Sequence, residues 1–265
     1  MDREKKRGSA KMAKIIAVAN QKGGVGKTTT SVNLCAGLHQ LGKSVLLVDS
    51  DPQGNASSGM GVSKNLRPNA YDMMINGVSP VDCIRHTDYG DVIPTGKELA
   101  AASVELIGAD KREYIMKNAL FTLYGDYDYI IIDCPPSLEL LTVNALVAAD
   151  SVLIPMQCEY YALEGIADLM TSIKLCSKKL NRRLTIEGIV LTMYDPRMNL
   201  TLQVANELRK YLGDKLYGTV IPRSIRLSEA PSHGIPGVLY DRQNKGSKAY
   251  MALAQEFIDR NEGRK

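Results

Sequence analysis

Short, almost uninterrupted apolar runs recur along the chain, and between them apolar residues return every three or four positions. The runs at Ile15–Ala19, Ser44–Val48, Tyr129–Asp133, Ser151–Met156 and Thr185–Thr192 have the length and continuity of strands covered on both faces. Shorter strands are expected at Asp91–Pro94 and Thr219–Ile221. The helical period falls on Ser31–Leu41, Asp110–Tyr124, Leu138–Ala148, Leu163–Leu180, Leu200–Leu212 and Lys248–Ile258. Between Gly59 and Gly90 the chain is rich in Gly, Asn, Pro and Ser, so it reads as loops with short helices around Ala70–Ile75. Alternating strands and helices predict an α/β fold, a single domain whose mostly parallel, twisted sheet carries helices on both faces. The domain is expected over 14–260, after a basic leader at 1–13 and before a short tail at 261–265. No internal repeat is present.

Ligands of such sheets bind at the carboxyl ends of the strands. Three polar motifs fall there: Lys22–Thr29, Asp49–Gln53 and Asp133–Pro136. The first, Lys22-Gly23-Gly24-Val25-Gly26-Lys27-Thr28-Thr29, lies between a strand and a helix, the order of a phosphate loop, and narrows the fold to a P-loop NTPase domain. Gly23, Gly24 and Gly26 let backbone N–H groups converge on anionic oxygens. Lys27 is placed to reach the β/γ-phosphates of a nucleotide, and the Thr28 hydroxyl to hold Mg²⁺. The usual pattern has a glycine five residues before Gly26; here that residue is Gln21, and a second lysine, Lys22, follows it. A second cation in a phosphate loop needs a negative charge to neutralise. The acid that ends Tyr129–Asp133 fits the strand that delivers a carboxylate towards the Mg²⁺ shell, although an acid there also serves as a helix cap. Asp49 and Asp51, two apart in extended chain, share a side. One would orient the water that attacks the γ-phosphate and the other support Mg²⁺ or its waters, while Asp51-Pro52 is also a turn opener.

Composition narrows the remaining possibilities. The chain of 265 residues is 45% hydrophobic with two Phe and no Trp, so its core is expected to be aliphatic. No apolar run approaches the roughly 20 residues that span a bilayer. The leader lacks a hydrophobic core segment, so no secretory signal is expected. The five cysteines (Cys35, Cys83, Cys134, Cys158 and Cys176) include no C-x-x-C pair, which fits small buried side chains in a reducing cytoplasm. The net charge of +4 is local: Met1–Lys14 holds six basic and two acidic residues, which leaves the remainder balanced. The leader reads as a solvated segment, with a nucleic-acid arm as the alternative.

Lys22–Thr29, Asp49–Gly54 and Asp133–Pro136 together resemble the deviant Walker A ATPases, and specifically the ParA/Soj partition proteins. Cys158–Gly165 and Glu229–Gly234 also look like blocks of that family, and the resemblance runs from Lys14 to Ile258. It implies that Lys27 serves the phosphates of its own subunit while Lys22 crosses a dimer interface to those of the partner. Two ATP molecules are then sandwiched in a homodimer. By the same resemblance Asp51 positions the water, Asp133 and Thr28 serve Mg²⁺, and Met193, Pro222 and Arg223 lie near the adenine. The implied partners are nonspecific double-stranded DNA and a ParB-like centromere-binding protein that stimulates hydrolysis. The implied location is cytoplasmic and nucleoid-associated.

From Asp195 to Lys248 there are nine basic residues against five acidic ones. By charge alone this reads as a solvated face. The resemblance makes it a DNA surface, with Arg197 and Arg226 at DNA-contacting positions and Lys245 and Lys248 beside them. Without a recognition helix or aromatic platform, binding is expected to be sequence-independent and salt-sensitive. A membrane-associated ATPase of the MinD kind needs a terminal amphipathic helix with a basic face. Ala249–Arg260 is only mildly apolar and carries two acids, so no membrane partner is expected. An iron–sulfur ATPase needs paired thiolates, and Cys134 has no counterpart in a matching setting. A tyrosine kinase of this loop type would want a C-terminal tyrosine cluster, which is absent. His233, with no second histidine nearby, reads as a loop-stabilising hydrogen-bonding residue.

Overall fold

A computed structural model describes residues 12–159 and 162–263. The strands are β1 (Lys14–Val18), β2 (Val45–Asp49), β3 (Arg85–Thr87), β4 (Gly90–Ile93), β5 (Tyr129–Asp133), β6 (Ser151–Gln157) and β7 (Thr185–Thr192). They form one sheet in the order β3-β4-β2-β5-β1-β6-β7. Every pairing is parallel except that of β3 with β4. The first helices are α1 (Lys27–Gln40), α2 (Asn55–Gly59), α3 (Ala70–Ile75), α4 (Pro80–Cys83), α5 (Ala102–Glu105) and α6 (Ile115–Leu120). They are followed by α7 (Leu140–Ala148), α8 (Ala162–Lys179), α9 (Asn199–Leu212), α10 (Ile225–Glu229), α11 (Gly237–Tyr240) and α12 (Lys245–Glu262).

The inner strands β1, β2, β5 and β6 are largely apolar because both sheet faces are covered there, and alternate residues enter two different cores. Ile15, Ala17, Leu46, Val48, Ile130 and Ile132 pack with Met73 of α3, Met116 of α6, Ala145 of α7, Leu169 of α8 and Val204 of α9. Ile16, Val18, Leu47, Ile131 and Leu153 face the other way, onto Leu34 and Leu38 of α1 and Leu253 and Phe257 of α12. The α1–α12 contact is close enough that a Cβ on Gly37 would lie 2.9 Å from that of Ala254. The apolar face of the C-terminal helix, Tyr250, Leu253, Ala254 and Phe257, is therefore buried in the domain.

Four sequence expectations are corrected. The helix expected over Asp110–Tyr124 is helical as α6 only within Ile115–Leu120, flanked by 3₁₀ turns. The Asn144 side chain accepts from Met116 N and donates to Arg112 O, taking backbone groups that a continuous helix would pair internally. Thr219–Ile221 is not a strand. Tyr217 N and Ile221 N reach β7, but the Glu256 carboxylate takes Gly218 N and Thr219 N between them and interrupts the ladder. The loop-rich stretch hides β3, a three-residue antiparallel edge closed by Thr87 Oγ1 donating to Gly90 O. Finally, α1 and α12 begin at Lys27 and Lys245, three to four residues early, and α12 runs on through Asn261 and Glu262, into the expected tail. Most of the basic leader lies outside the described residues.

Phe257 is fully buried and meets the Tyr129 ring edge-on at 5.2 Å. Phe257→Ala is expected to destabilise the protein by about 3–5 kcal/mol in urea unfolding, through lost transfer energy and a residual cavity.

Candidate functional site

The phosphate loop leaves β1 at the carboxyl edge of the sheet and enters α1 directly. Gly24 and Gly26 adopt left-handed φ values of 73° and 89°, which only glycine takes without strain. Gly23 is not left-handed, and a Cβ there would meet nothing within 4 Å. The loop is fastened to the neighbouring strands by two side chains that the sequence motifs do not flag. Thr192 Oγ1 donates to Val25 O at 2.7 Å, and Gln157 Nε2 donates to Gly24 O at 2.9 Å.

The two lysines diverge. Lys27 is buried and curls across the loop, its Nζ donating to the Lys22 carbonyl at 2.9 Å. Burial lowers its pKa, against the attraction of Asp133. The Lys22 side chain is exposed and pairs with Glu159 on the surface. Exposed pairs of this kind contribute at most about 1 kcal/mol, so this one exchanges readily for a stronger anion.

Beneath the loop, β2 and β5 end on two fully buried acids, Asp49 and Asp133, adjacent in register. Asp133 Oδ2 accepts from Thr28 Oγ1 at 2.8 Å and Oδ1 from Ser31 Oγ at 2.7 Å. Asp49 Oδ2 accepts from the Ser57 backbone N and from Ser57 Oγ, both at 2.7 Å, and its Oδ1 accepts from Asp51 N at 3.2 Å. Asp49 thus faces α2, with both oxygens accepting from protein donors. Asp51 sits in the next turn, where Oδ1 accepts from Gln53 N at 3.0 Å and the described hydrogen bonds leave Oδ2 open. Burial raises the pKa of both Asp49 and Asp133, and for Asp133 the neighbouring Asp49 charge raises it further.

Met193, Pro222 and Arg223 converge with Gly26, Thr29 and Tyr250 on a cavity of about 130 Å³ beside the loop. Met193 is held at φ 50°, and its Sδ lies 2.9 Å from Gln157 Nε2. A larger cavity of about 440 Å³ continues past Thr28 and Thr29.

The basic residues named for a DNA surface are exposed. Arg197 is exposed and grips Asp195 with two parallel bonds of 2.9 and 2.6 Å. These bonds hold the Asp195 carboxyl well below the usual range, and the Lys245 charge also acts on it. Arg226 pairs with Glu229 at 2.9 Å and more loosely with Asp241 at 3.6 Å. Lys245 and Lys248, in the first turn of α12, are exposed. His233 stacks on Tyr240 with ring centroids 4.9 Å apart, in place of the expected hydrogen bond. All five cysteines are buried and free. Among the described residues no three His, Cys, Asp or Glu side chains gather as a metal site, and no helix is long and apolar enough to cross a membrane.

Ser31, Ser57, Gln157 and Thr192 were not singled out in the sequence. Two signals were available. Ser31 lies one helical turn beyond Lys27, and Gln157 and Thr192 end strands at the same carboxyl edge as the three motifs.

A family model described as an AAA domain matches residues 13–186. The sporulation initiation inhibitor protein Soj of Bacillus subtilis is 56% identical over 248 residues, covering 92% of this chain and 98% of that protein. The chromosome partitioning protein ParA of Caulobacter vibrioides is 48% identical over 261 residues, with 97% and 98% covered. Among solved structures, cobyrinic acid a,c-diamide synthase from Mycobacterium smegmatis with bound ADP and magnesium superposes with a TM-score of 0.82. It is 35% identical, with 96% of this chain and 98% of that one covered.

Asp133 titrates above its unfolded value, so its contribution to stability is complete at acid pH and is lost as pH rises through the raised folded value. Asp133→Asn is therefore expected to stabilise the metal-free protein on the order of 2 kcal/mol at about pH 8 and hardly at all near pH 4. Thermal melts of both proteins in chelator across that range test the sign and the window.

Proposed function

Because the chain belongs to the ParA/Soj family of partition ATPases, we propose that ATP and Mg²⁺ on the phosphate loop join two copies into a DNA-holding dimer that hydrolysis releases. The observation that carries this reading is the opposite orientation of the two lysines. Lys27 is turned into its own loop, whereas Lys22 projects from the surface, where its weak pair with Glu159 can give way to phosphates bound to a second copy.

Each remaining part of the site has a role in this scheme. Backbone groups from Gly23 to Thr29 cradle the phosphates, with Lys27 on the β/γ-oxygens. The oxygen donors Thr28 and Asp133 suit Mg²⁺, a hard cation, and two buried carboxylates favour a dication beside them. When bound, Mg²⁺ neutralises charge on the phosphates. Asp49 acts one step back, through Ser57 and the Asp51 backbone. Asp51, with its open Oδ2, orients the attacking water. Lys22 adds a cation opposite the leaving oxygens, as an arginine finger does. Met193, Pro222 and Arg223 border the adenine.

Arg197, Arg226, Lys245 and Lys248 contact DNA phosphates. A dimer doubles these contacts, so ATP controls DNA affinity through the number of subunits. A ParB-like partner accelerates hydrolysis and hence release, while DNA binding by the ATP dimer keeps the cytoplasmic protein on the nucleoid. The membrane alternative is disfavoured by α12, whose apolar face is packed on α1.

Lys22→Ala is expected to keep ATP affinity within about 3-fold, because one-subunit contacts remain, and to abolish ATP-dependent dimers in sedimentation velocity. Dimers that persist in this variant refute the cross-subunit role. Arg197→Glu is expected to weaken binding to every duplex alike, by about 10-fold or more near physiological salt, while hydrolysis without DNA is unchanged. A loss confined to particular sequences in fluorescence anisotropy contradicts a phosphate-only surface.

A further inference from the structure

The turn that carries Asp51 is held from outside by a lysine that belongs to neither the phosphate motifs nor the basic surface. Lys64 lies in the loop after α2. Its Nζ reaches back to donate to the Gln53 carbonyl at 2.5 Å and to Asn55 Oδ1 at 3.1 Å. The aliphatic stem lies over Gly54, where a Cβ would stand 3.0 Å from Lys64 Cδ and 2.8 Å from Thr95 O. Gly54 also has a left-handed φ of 62°, so the turn tolerates no other residue without strain.

Lys64 is anchored independently of the turn it contacts. Val62 N donates to Ser57 O at 2.9 Å, and the Val62 side chain is buried. The Lys64 carbonyl packs against Gly96 so closely that a Cβ there would lie 2.6 Å from it. The ammonium is thus presented to the turn from a fixed base.

The peptide unit it grips is the one that closes the turn. Gln53 O and Gly54 N belong to the same peptide, and Gly54 N donates to Asp51 O at 2.8 Å. An ammonium on the carbonyl end polarises that peptide and strengthens the bond its N–H makes. On the other side of the same residue, Gln53 N donates to Asp51 Oδ1. Lys64 is therefore two hydrogen bonds from the Asp51 backbone, and Gln53 ties the Asp51 carboxylate to the same turn.

We infer that Lys64 is a positioning residue for ATP hydrolysis, which locks the Asp51–Gly54 turn so that Asp51 Oδ2 points at the attacking water. The inference rests on the reading of Asp51 as the water-orienting group. Misplacing a group of this kind slows the chemical step without changing how tightly the nucleotide is held.

The test uses the full chain with Mg-ATP and compares Lys64→Met, which keeps the stem, and Lys64→Arg, which keeps the charge. Each is made in the unaltered protein and in Asp51→Ala. Lys64→Met is expected to lower kcat about 5- to 10-fold while KM for ATP and the melting temperature hold, and Lys64→Arg to recover most of the loss. In the Asp51→Ala background Lys64→Met is expected to add no further slowing, as for two groups that act through one element. An unchanged kcat, equal slowing in both backgrounds, or a rise in KM accompanied by a lower melting temperature overturns the positioning role. If Asp51→Ala alone hydrolyses ATP normally, the reading of Asp51 fails and the role of Lys64 falls with it, an outcome separate from the other three.

Discussion

Two buried carboxylates side by side, Asp49 and Asp133, are the constraint around which the site is arranged. Removing both from water raises the cost of ionising either, and their mutual repulsion adds to it. The fold surrounds them with short polar donors. Thr28 and Ser31 from α1 satisfy Asp133, and Ser57 from α2 satisfies Asp49. These bonds fix the first turn of the phosphate-loop helix and the start of the Asp51 turn on one rigid sheet edge. A dication next to Asp133 relieves the same repulsion, so nucleotide-borne Mg²⁺ and the stability of the site are linked.

The division between Lys27 and Lys22 follows from geometry at the same edge. Side chains from β6 and β7 hold the loop, and Gly24 and Gly26 let it bend sharply, so one lysine is folded inward and the other is left outside. The inward lysine lies across the loop that carries it, donating to the Lys22 carbonyl. The outward one is matched by a weak surface partner, Glu159, and is available to a second molecule. Arg197 and Arg226 likewise rest on nearby carboxylates, exposed contacts that a polyanion such as the proposed DNA partner would displace.

Much of this was legible in the sequence for identifiable reasons. Parallel strands buried on both faces read as apolar runs, so β1, β2, β5, β6 and most of β7 were visible, and the carboxyl-edge rule grouped the three motifs at one end of them. Two of the features that escaped depended on long-range contacts. The break in the Asp110–Tyr124 helix is made by Asn144, and the missing Thr219–Ile221 strand by Glu256, residues about 30 or more positions away whose side chains give no local signal. The difference between Asp49 and Asp51 was hidden for the same reason. Only the position of Ser57 shows that Asp49 is the enclosed acid, while Asp51 keeps one oxygen open.

In the proposed function, nucleotide-dependent assembly is the link between the two lysines and the basic residues. The most direct measurement is binding of the full chain to a random-sequence duplex with Mg-ATP, with Mg-ADP and with no nucleotide, repeated across salt concentrations. The expected result is tight binding with ATP alone, indifferent to sequence, with a log–log salt slope of roughly −4 to −7 for a dimer presenting four cations per subunit. Equal binding in all three nucleotide conditions, or an affinity insensitive to salt, contradicts it.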